Sequence, residues 1–248
     1  MGRKRRLVID GDIPLYQIGF SVETAVDWGG DFWSLSGDMN EARESMIIWV
    51  NKLRDATKTQ DVVIALSGPQ NWRKGLEPQY KANRKNVRKP VVINPLRDFI
   101  RSRWDVLEEE GLEADDLLGL NANRTDILCS SDKDLLTVPG RHFNPNKPDE
   151  GIKKVTEREA NYQHMVQTLT GDSTDNYPGC PGVGPVSAHK LLDPLDEADW
   201  WPAVVKRYAA AGHPEEDAIL QARLAYILRP GDYDYETQEV ELWMPPSA

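Results

Sequence analysis

Eight acidic residues recur along the chain in four short groups, each where a strand or a turn is expected to present it. They are Asp10, Glu113, Asp115, Asp116, Asp132, Asp134, Asp172 and Asp175. Carboxylates brought together repel one another, and burying them without partners costs several kcal/mol. Divalent cations remove that cost, and Mg²⁺ and Mn²⁺ prefer hard oxygen ligands. The pattern therefore predicts metal-dependent phosphate chemistry, in which two ions about 3.5–4 Å apart activate water and stabilise the leaving oxygen.

Each acidic group also has a simpler interpretation when it is taken alone. The E-x-D-D group at 113–116 could be a solvated helix start, on which Glu113 and Asp116 would share a face. The S-x-D-x-D group at 130–134 could be a capped loop, and G-D-x-x-D at 171–175 could be a turn. All four groups follow strands or turns in one chain, and this recurrence favours a metal site.

Short apolar runs and capping signals predict the elements that must position these acids. Strands are predicted to end at Asp10 and to cover 61–66, 106–109 and 126–129, with a possible final strand at 239–243. Helices are predicted from cap Asp38 to Lys58, from N-cap Asn94 toward Arg103, over 113–120, from Ser131-Asp132, and from the Thr156 capping box to Thr170.

This alternation of strands and helices predicts an α/β fold with a mostly parallel sheet flanked by helices. Ligands of such sheets bind beyond the carboxyl ends of the strands, so we expect Asp10 and Asp132 to share one edge. After Gly171 the sequence changes to turns and helices, which places a soft domain boundary there, between 1–170 and 171–248.

Charge is unevenly distributed along the 248 residues. The net charge is −10, yet residues 73–89 contain seven basic side chains and one acid, Glu77. Local patches set the field that a ligand meets, so the overall acidity is compatible with a DNA-processing enzyme. The longest apolar runs are strand-sized, which predicts no membrane span and no signal peptide, and hence a cytoplasmic address. Cys129 and Cys180 are expected to be reduced thiols.

Two further segments carry features suited to nucleic acid. In 71–85, Lys81, Arg84 and Lys85 suit phosphates, whereas Trp72 and Tyr80 could stack on bases. The alternative is a solvated basic loop with two packing aromatics. In 182–192, a Gly-Val-Gly turn precedes a helix that begins at a proline, and its exposed N–H groups would bind a backbone phosphate. The alternative there is an ordinary helix hairpin punctuated by glycine.

With these motifs together, the chain resembles the 5′-nuclease (flap endonuclease/5′-3′ exonuclease) family, particularly its short-tailed bacteriophage branch. The resemblance rests on NWRK, YKANRK, E-x-D-D, S-x-D-K-D and GD-x-x-D. It implies a PIN-like nuclease core over 1–170 with a basic arch at about 70–90. It also implies a helix–three-turn–helix within 171–248 that binds duplex DNA and often K⁺. The implied reaction is metal-dependent hydrolysis of phosphodiesters at or near 5′ ends of DNA, and of RNA in RNA–DNA hybrids, by a monomer in phage DNA replication or primer removal.

The resemblance also assigns roles by position. A first carboxylate group would bind one Mg²⁺ or Mn²⁺ and a second group the other; these are Asp10, Glu113 and Asp115, then Asp132, Asp134, Asp172 and Asp175. Lys81 and Arg84 match catalytic residues at the scissile phosphate, and Asp116 would bridge or support the ligands. The implied DNA-binding residues are Arg73, Lys74, Tyr80, Lys85, Gly182, Val183, Gly184, Val186 and Lys190.

One position departs from the family pattern. The family has an aspartate shortly before N-W-R-K, where this chain has Gly68, so the first carboxylate group lacks a member. Asp12 is the neighbour that could substitute. An alternative function is therefore a structure-specific DNA-binding protein with a weakened or inactive first metal site.

Two further alternatives fit the sequence less well. A haloacid-dehalogenase-type phosphatase would explain Asp10-Gly-Asp12 after a strand, but Pro14 stands where such enzymes have Thr or Val. A PIN-type ribonuclease would share the acidic core but gives no reason for the segment 178–192.

Overall fold

A six-stranded sheet forms the centre of the protein in the computed structural model, which describes residues 5–246. Its strands are β1 (Arg6–Asp10), β4 (Asp61–Ala65), β5 (Asp105–Leu107), β6 (Ile127–Cys129), β7 (Gly140–Phe143) and β8 (Ile152–Val155). The spatial order is β5-β4-β1-β6-β7-β8. All neighbours run parallel except β7 and β8, which are antiparallel. The expected α/β fold with a mostly parallel sheet is confirmed.

Helices cover both faces of this sheet. They are α1 (Asp12–Ser21), α2 (Met39–Thr57), α3 (Arg73–Leu76), α4 (Ile93–Arg103), α5 (Ala114–Leu120), α6 (Glu157–Thr170), α7 (Pro185–Leu192), α8 (Glu197–Ala210) and α9 (Glu215–Ala225). Leu7 and Ile9 of β1 pack in a cluster with α1, α2 and α4, whereas Val8 packs on the opposite face with α5 and the segment 226–228. The alternation follows from the period of two in a strand. It leaves β1 buried between two layers.

The register aligns the carboxyl ends of the three central strands. Asp10 pairs with Ala65 of β4, and Ile9 pairs with Cys129 of β6. The residues that follow these strands therefore emerge at the same edge of the sheet, as the sequence predicted for Asp10 and Asp132.

Local capping signals explain most helix starts. The Asp38 side chain accepts the N–H groups of Asn40 and Glu41, and Thr156 with Glu159 forms a reciprocal capping box. The prediction that Asn94 caps α4 is wrong. The Val92 carbonyl accepts the first helical hydrogen bond, from Leu96 N–H at 2.9 Å, which places Asn94 inside the first turn.

Two small sheets lie outside the central one. The hairpin of β2 (Glu23–Asp27) and β3 (Trp33–Gly37) was not predicted from the sequence. Its large side chains, including Trp28, Phe32 and Trp33, are exposed. The predicted final strand is present only as β10 (Glu239–Val240), which pairs with β9 (Tyr233–Asp234).

The chain after Gly171 contributes to two cores. Helices α7, α8 and α9 form a cluster with α6, in which Trp200, Val204 and Tyr208 are buried. The segment 226–228 instead joins the core that covers β1 and α5. Across residues 5–246, no helix combines the length and apolar character that a membrane crossing requires.

Candidate active site

A cavity of about 820 Å³ opens at the carboxyl-end edge of β1, β4 and β6. We call it the catalytic cavity, and its acidic lining residues are Asp10, Asp12, Glu113, Asp115, Asp132 and Asp175. Lys81 and Arg84 line the same cavity. Five of the eight carboxylates singled out in the sequence therefore meet there, with both cations expected at the phosphate.

Asp10 connects the ends of two strands. It is 6% exposed, and its carboxylate accepts the Asp12 N–H at 3.1 Å and the Ser130 hydroxyl at 3.0 Å. The same hydroxyl oxygen accepts the N–H of Asp132 at 3.0 Å. Burial and then repulsion from Asp12 raise the pKa of Asp10 to about 7. A nearby cation would stabilise the ionised form of this buried carboxylate.

Glu113 and Asp116 open α5 as a capping pair. Glu113 is the N-cap, and its backbone N–H donates to Asp116 at 3.3 Å. Arg73 donates to Glu113 at 3.1 Å and Lys81 forms an ion pair with it. Burial opposes ionisation of Glu113, but Lys81 and Arg73 outweigh burial and lower its pKa to about 2. Glu113 is thus a permanent anion at the cavity wall.

Asp115 has a buried carboxylate oxygen, Oδ1, and among residues 5–246 no group donates a hydrogen bond to it. Burial and repulsion from Asp10 and Asp132 raise the pKa of Asp115 well above its usual range. A buried oxygen without a donor is costly unless a cation faces it.

The second carboxylate group is divided between the cavity and its border. Asp132 lines the cavity and accepts the Asp134 N–H at 2.9 Å, whereas Asp134 itself accepts the Gln167 amide at 2.5 Å. Burial, then repulsion from Asp132 and Asp172, raises the pKa of Asp134 to about 7. Asp172 accepts the N–H groups of Thr174 and Asp175 at 2.6 and 3.2 Å. Asp134 and Asp172 therefore lie beside the cavity, and Asp132 and Asp175 line it.

The basic segment (residues 70–90) is held against this acidic wall. Arg84 donates to one oxygen of Asp175 at 2.6 Å, and the Tyr80 hydroxyl donates to the other at 2.8 Å. Lys81 lies 3.4 Å from Asp175, and its backbone N–H donates to the Asp175 carbonyl at 2.8 Å. The two cations therefore neutralise carboxylates of both groups.

The donor chemistry of the cavity fits divalent cations. Among residues 5–246, no three acidic, histidine or cysteine side chains already form a ready-made coordination shell. The unpartnered Asp115 oxygen and the mutual repulsion of Asp10, Asp115 and Asp132 are nonetheless features that a hard cation relieves. By position, Asp10, Glu113 and Asp115 could hold one ion.

Comparison with known proteins identifies the family. The sequence model of the 5′-3′ exonuclease N-terminal resolvase-like domain matches residues 5–167. The chain belongs to the 5′-3′ exonuclease family. It is 31% identical to an exonuclease of Escherichia phage T7, across 96% of this chain and 93% of that protein. It is 30% identical to an exodeoxyribonuclease of Enterobacteria phage T3, across 97% and 93%.

Solved structures share the fold of this 5′-3′ exonuclease family member. A bacteriophage T5 5′-exonuclease with bound zinc ions aligns with a TM-score of 0.64 at 16% identity, over 89% of each chain. A T5 flap endonuclease in complex with DNA and metal ions aligns with a TM-score of 0.59 at 15% identity, over 90% and 89%. The resemblance to the 5′-nuclease family is confirmed, as is the expected class of enzyme, a 5′-3′ exonuclease.

Two of the residues expected to contact DNA are buried inside the protein. Arg73 and Tyr80 are each 2% exposed, and their polar atoms are taken up by protein partners. Arg73 binds Asp116, and Tyr80 binds Asp175, so neither side chain is presented to a ligand. This corrects the expectation for both residues, because buried polar groups are satisfied inside the protein. The supporting role of Arg73 was not predicted, because Arg73 is one of several cations in a basic run and its partners at Leu224 and Tyr226 are distant in the sequence.

Other expected DNA contacts lie on the surface. Lys74, Lys85 and Lys190 are exposed, and Val186 at the start of α7 is 83% exposed. Gly182 has a φ of +72°, which permits the tight turn before α7. Val183 is the exception, because its side chain is 8% exposed and packs with α6 and α8. Only its backbone is left for a ligand.

Asp116 has a supporting position. It is fully buried, and Arg73 binds both of its oxygens at 2.8 Å. Trp72 and the Leu228 N–H also donate to it, at 3.1 and 3.4 Å. Protein donors thus occupy both oxygens of Asp116, and they hold it at the start of α5 beside the catalytic cavity.

Proposed function

We propose that this chain is a metal-dependent 5′-3′ exonuclease that hydrolyses phosphodiesters at or near 5′ ends of DNA, including flaps. The observation that carries the proposal is the meeting of Asp10, Glu113, Asp115 and Asp132 with Lys81 and Arg84 in one cavity. Carboxylates and phosphate-binding cations side by side match phosphoryl transfer, which depends on positioning and charge stabilisation. Bound ions would supply an activated water and stabilise the leaving oxygen.

The chain's own residues would position the substrate. Lys81 and Arg84 now pair with Glu113 and Asp175, and an entering phosphate would compete for the same two cations. Lys81 and Arg84 would then stabilise the negative charge that develops on the scissile phosphate in the transition state. Asp134 and Asp172, together with Asp132 and Asp175, would bind the second ion.

Duplex binding is assigned to a separate surface. The exposed turn and helix start at Gly182, Gly184 and Val186, with Lys190, would bind a phosphate backbone without reading sequence. We extend the proposal to a helix–three-turn–helix at this turn that binds K⁺, to RNA–DNA hybrids as substrates and to a monomer acting in phage DNA replication or primer removal. The phage relatives in the family support this setting.

A cleavage assay tests the proposal. The wild type is incubated with 5′-labelled flap, nicked, blunt and RNA–DNA substrates, with and without Mg²⁺ or Mn²⁺. We expect release of short 5′ products only with metal, and loss of this release in Asp132→Ala. Asp55→Ala, an exposed position on α2, is the charge-matched control and should retain activity.

A second candidate function follows from Gly68, which removes a carboxylate that the family has. It is a structure-specific DNA-binding protein with a weakened first metal site. Wild-type protein that binds flapped DNA but cleaves no substrate with either metal would favour this candidate and reject the nuclease.

A further inference from the structure

Asp12 lines the catalytic cavity, and the sequence identifies it only as a neighbour that could replace the carboxylate missing at Gly68. It is the first residue of α1, and its side chain lines the cavity with Asp10 and Glu113. Its own backbone N–H donates to Asp10, and its carboxylate repels that of Asp10.

The carboxylate of Asp12 faces Ser67, whose N–H donates to it at a long 3.4 Å. Burial raises the pKa of Asp12, and the Ser67 hydroxyl and the charge of Arg97 act to lower it. The Asp12 carboxylate therefore keeps lone pairs that can bind a cation beside the first carboxylate group.

Gly68, next to Ser67, is closed to any side chain. A Cβ atom built there would lie 2.1 Å from the carbonyl oxygen of Glu109, and contacts under 3.0 Å essentially never occur. The Gly68 N–H also donates to the Leu112 carbonyl at 2.8 Å, which fixes the loop that leads into Glu113. An aspartate at 68 would require this backbone to move.

We propose that Asp12 supplies the carboxylate that the first metal site lacks at position 68, as a ligand directly or through water. Ser67, whose N–H donates to Asp12, is the neighbour of Gly68 in the chain. The Asp12 carboxylate, which extends from α1, therefore lies next to the loop that contains position 68. The donor set then becomes Asp10, Asp12, Glu113 and Asp115. This inference rests on the proposed metal-dependent nuclease.

A plainer role for Asp12 is that of an acid in the first turn of α1, where the helix dipole favours negative charge. That role predicts an effect on stability alone. A ligand role predicts an effect on metal binding, so the two are separated by measuring the metal directly.

Mn²⁺ binding to the full chain, followed by the electron paramagnetic resonance of free Mn²⁺, tests the ligand role. We expect Asp12→Asn to lose about tenfold or more in affinity at one site, since even groups that only support metal ligands change affinity 10–100-fold. Asp55→Asn should bind as the wild type does. The Mn²⁺-induced rise in melting temperature should shrink in Asp12→Asn, and Asp12→Ser is the second variant if Asn impairs folding.

Wild-type affinity in Asp12→Asn or Asp12→Ser would overturn the inference. A double variant Asp12→Asn, Gly68→Asp that regains wild-type Mn²⁺ binding would support the inference, because a carboxylate from position 68 would then replace the one from Asp12. Loss of one Mn²⁺ site in Asp12→Asn, in a wild type that binds Mn²⁺ but cleaves no DNA, would support this inference while rejecting the proposed nuclease. A wild type that binds no Mn²⁺ would reject both.

Discussion

Arg73 and Asp116 form a buried ion pair with two parallel hydrogen bonds, each 2.8 Å long. Arg73 is 2% exposed and Asp116 is 0% exposed. The guanidinium also donates to the carbonyls of Leu224 and Tyr226, at 3.1 and 2.6 Å. One side chain thus joins the basic segment, the acidic start of α5 and the end of α9. The position of Glu113 in the catalytic cavity depends on this junction, because Arg73 donates to Glu113 as well.

Removing Asp116 should destabilise the fold strongly. Asp116→Ala leaves the Arg73 charge buried without its main partner, which costs about 3–5 kcal/mol in comparable buried pairs. Urea unfolding of both proteins at pH 7 measures the difference in the free energy of unfolding. Asp55→Ala, an exposed change of the same type, should cost less than about 0.5 kcal/mol. A loss under about 1 kcal/mol for Asp116→Ala would contradict a structural role for the pair.

Substitutions of Lys81 and Lys85 should have different effects, the first on the rate of cleavage and the second on DNA binding. Lys81 lies in the catalytic cavity, so Lys81→Ala should lower kcat by about 10²–10³, as loss of one transition-state donor does. Lys85 is exposed, so Lys85→Ala should weaken DNA binding and reduce its salt slope by about 1. Single-turnover cleavage and binding titrations at several salt concentrations measure these effects.

A charge-matched lysine provides the reference for both changes. Lys52→Ala, exposed on α2, should leave kcat and the salt slope unchanged. If Lys81→Ala raised Kd without lowering kcat, Lys81 would belong to the binding surface and not to the catalytic residues.

The features of the fold that the sequence predicted are those that local signals encode. Buried strands read as apolar runs, and Asp38 and Thr156 mark helix starts through their own side chains. The shared edge of Asp10 and Asp132 follows from parallel topology alone. These features need no knowledge of distant contacts.

The features that the sequence did not predict depend on distant contacts. Arg73 reads as one more cation of a basic run, and its burial results from carbonyls more than 150 residues away, at Leu224 and Tyr226. In the hairpin of β2 and β3 the large apolar residues are exposed. Because neither strand buries a face against the core, burial imposes no pattern of apolar and polar residues on its sequence. That Gly68 is closed depends on the Glu109 carbonyl from another loop.

Two glycines before α7 should respond differently to alanine. Gly182 has a φ of +72°, so Gly182→Ala should cost about 1 kcal/mol of stability. Gly184 has a φ of −102° and open space around a built Cβ, so Gly184→Ala should be neutral or slightly stabilising. If a duplex backbone approaches this turn, Gly184→Ala should still weaken duplex binding. Thermal unfolding and binding titrations test both; unchanged affinity in Gly184→Ala would place the duplex elsewhere.

His164 should make the fold sensitive to mild acid. It is 2% exposed, and its ring bonds to the Ala222 carbonyl at 2.8 Å. Burial, with a further effect of nearby Arg229, lowers its pKa to about 4 despite that bond. Between pH 6.5 and about 4 the unfolded chain therefore binds the proton that folded His164 excludes. Stability from this residue is complete above pH 6.5 and is lost as the pH falls.

The magnitude and sign of this effect are testable by replacement. His164→Gln keeps a donor toward Ala222 but does not titrate, so its free energy of unfolding should fall less steeply with acid than that of the wild type. The difference in slope should approach about 1.4 kcal/mol per pH unit between pH 6 and pH 4.5, measured by urea unfolding. Parallel curves for the two proteins across that range would show that folded His164 accepts the proton as readily as the unfolded chain does.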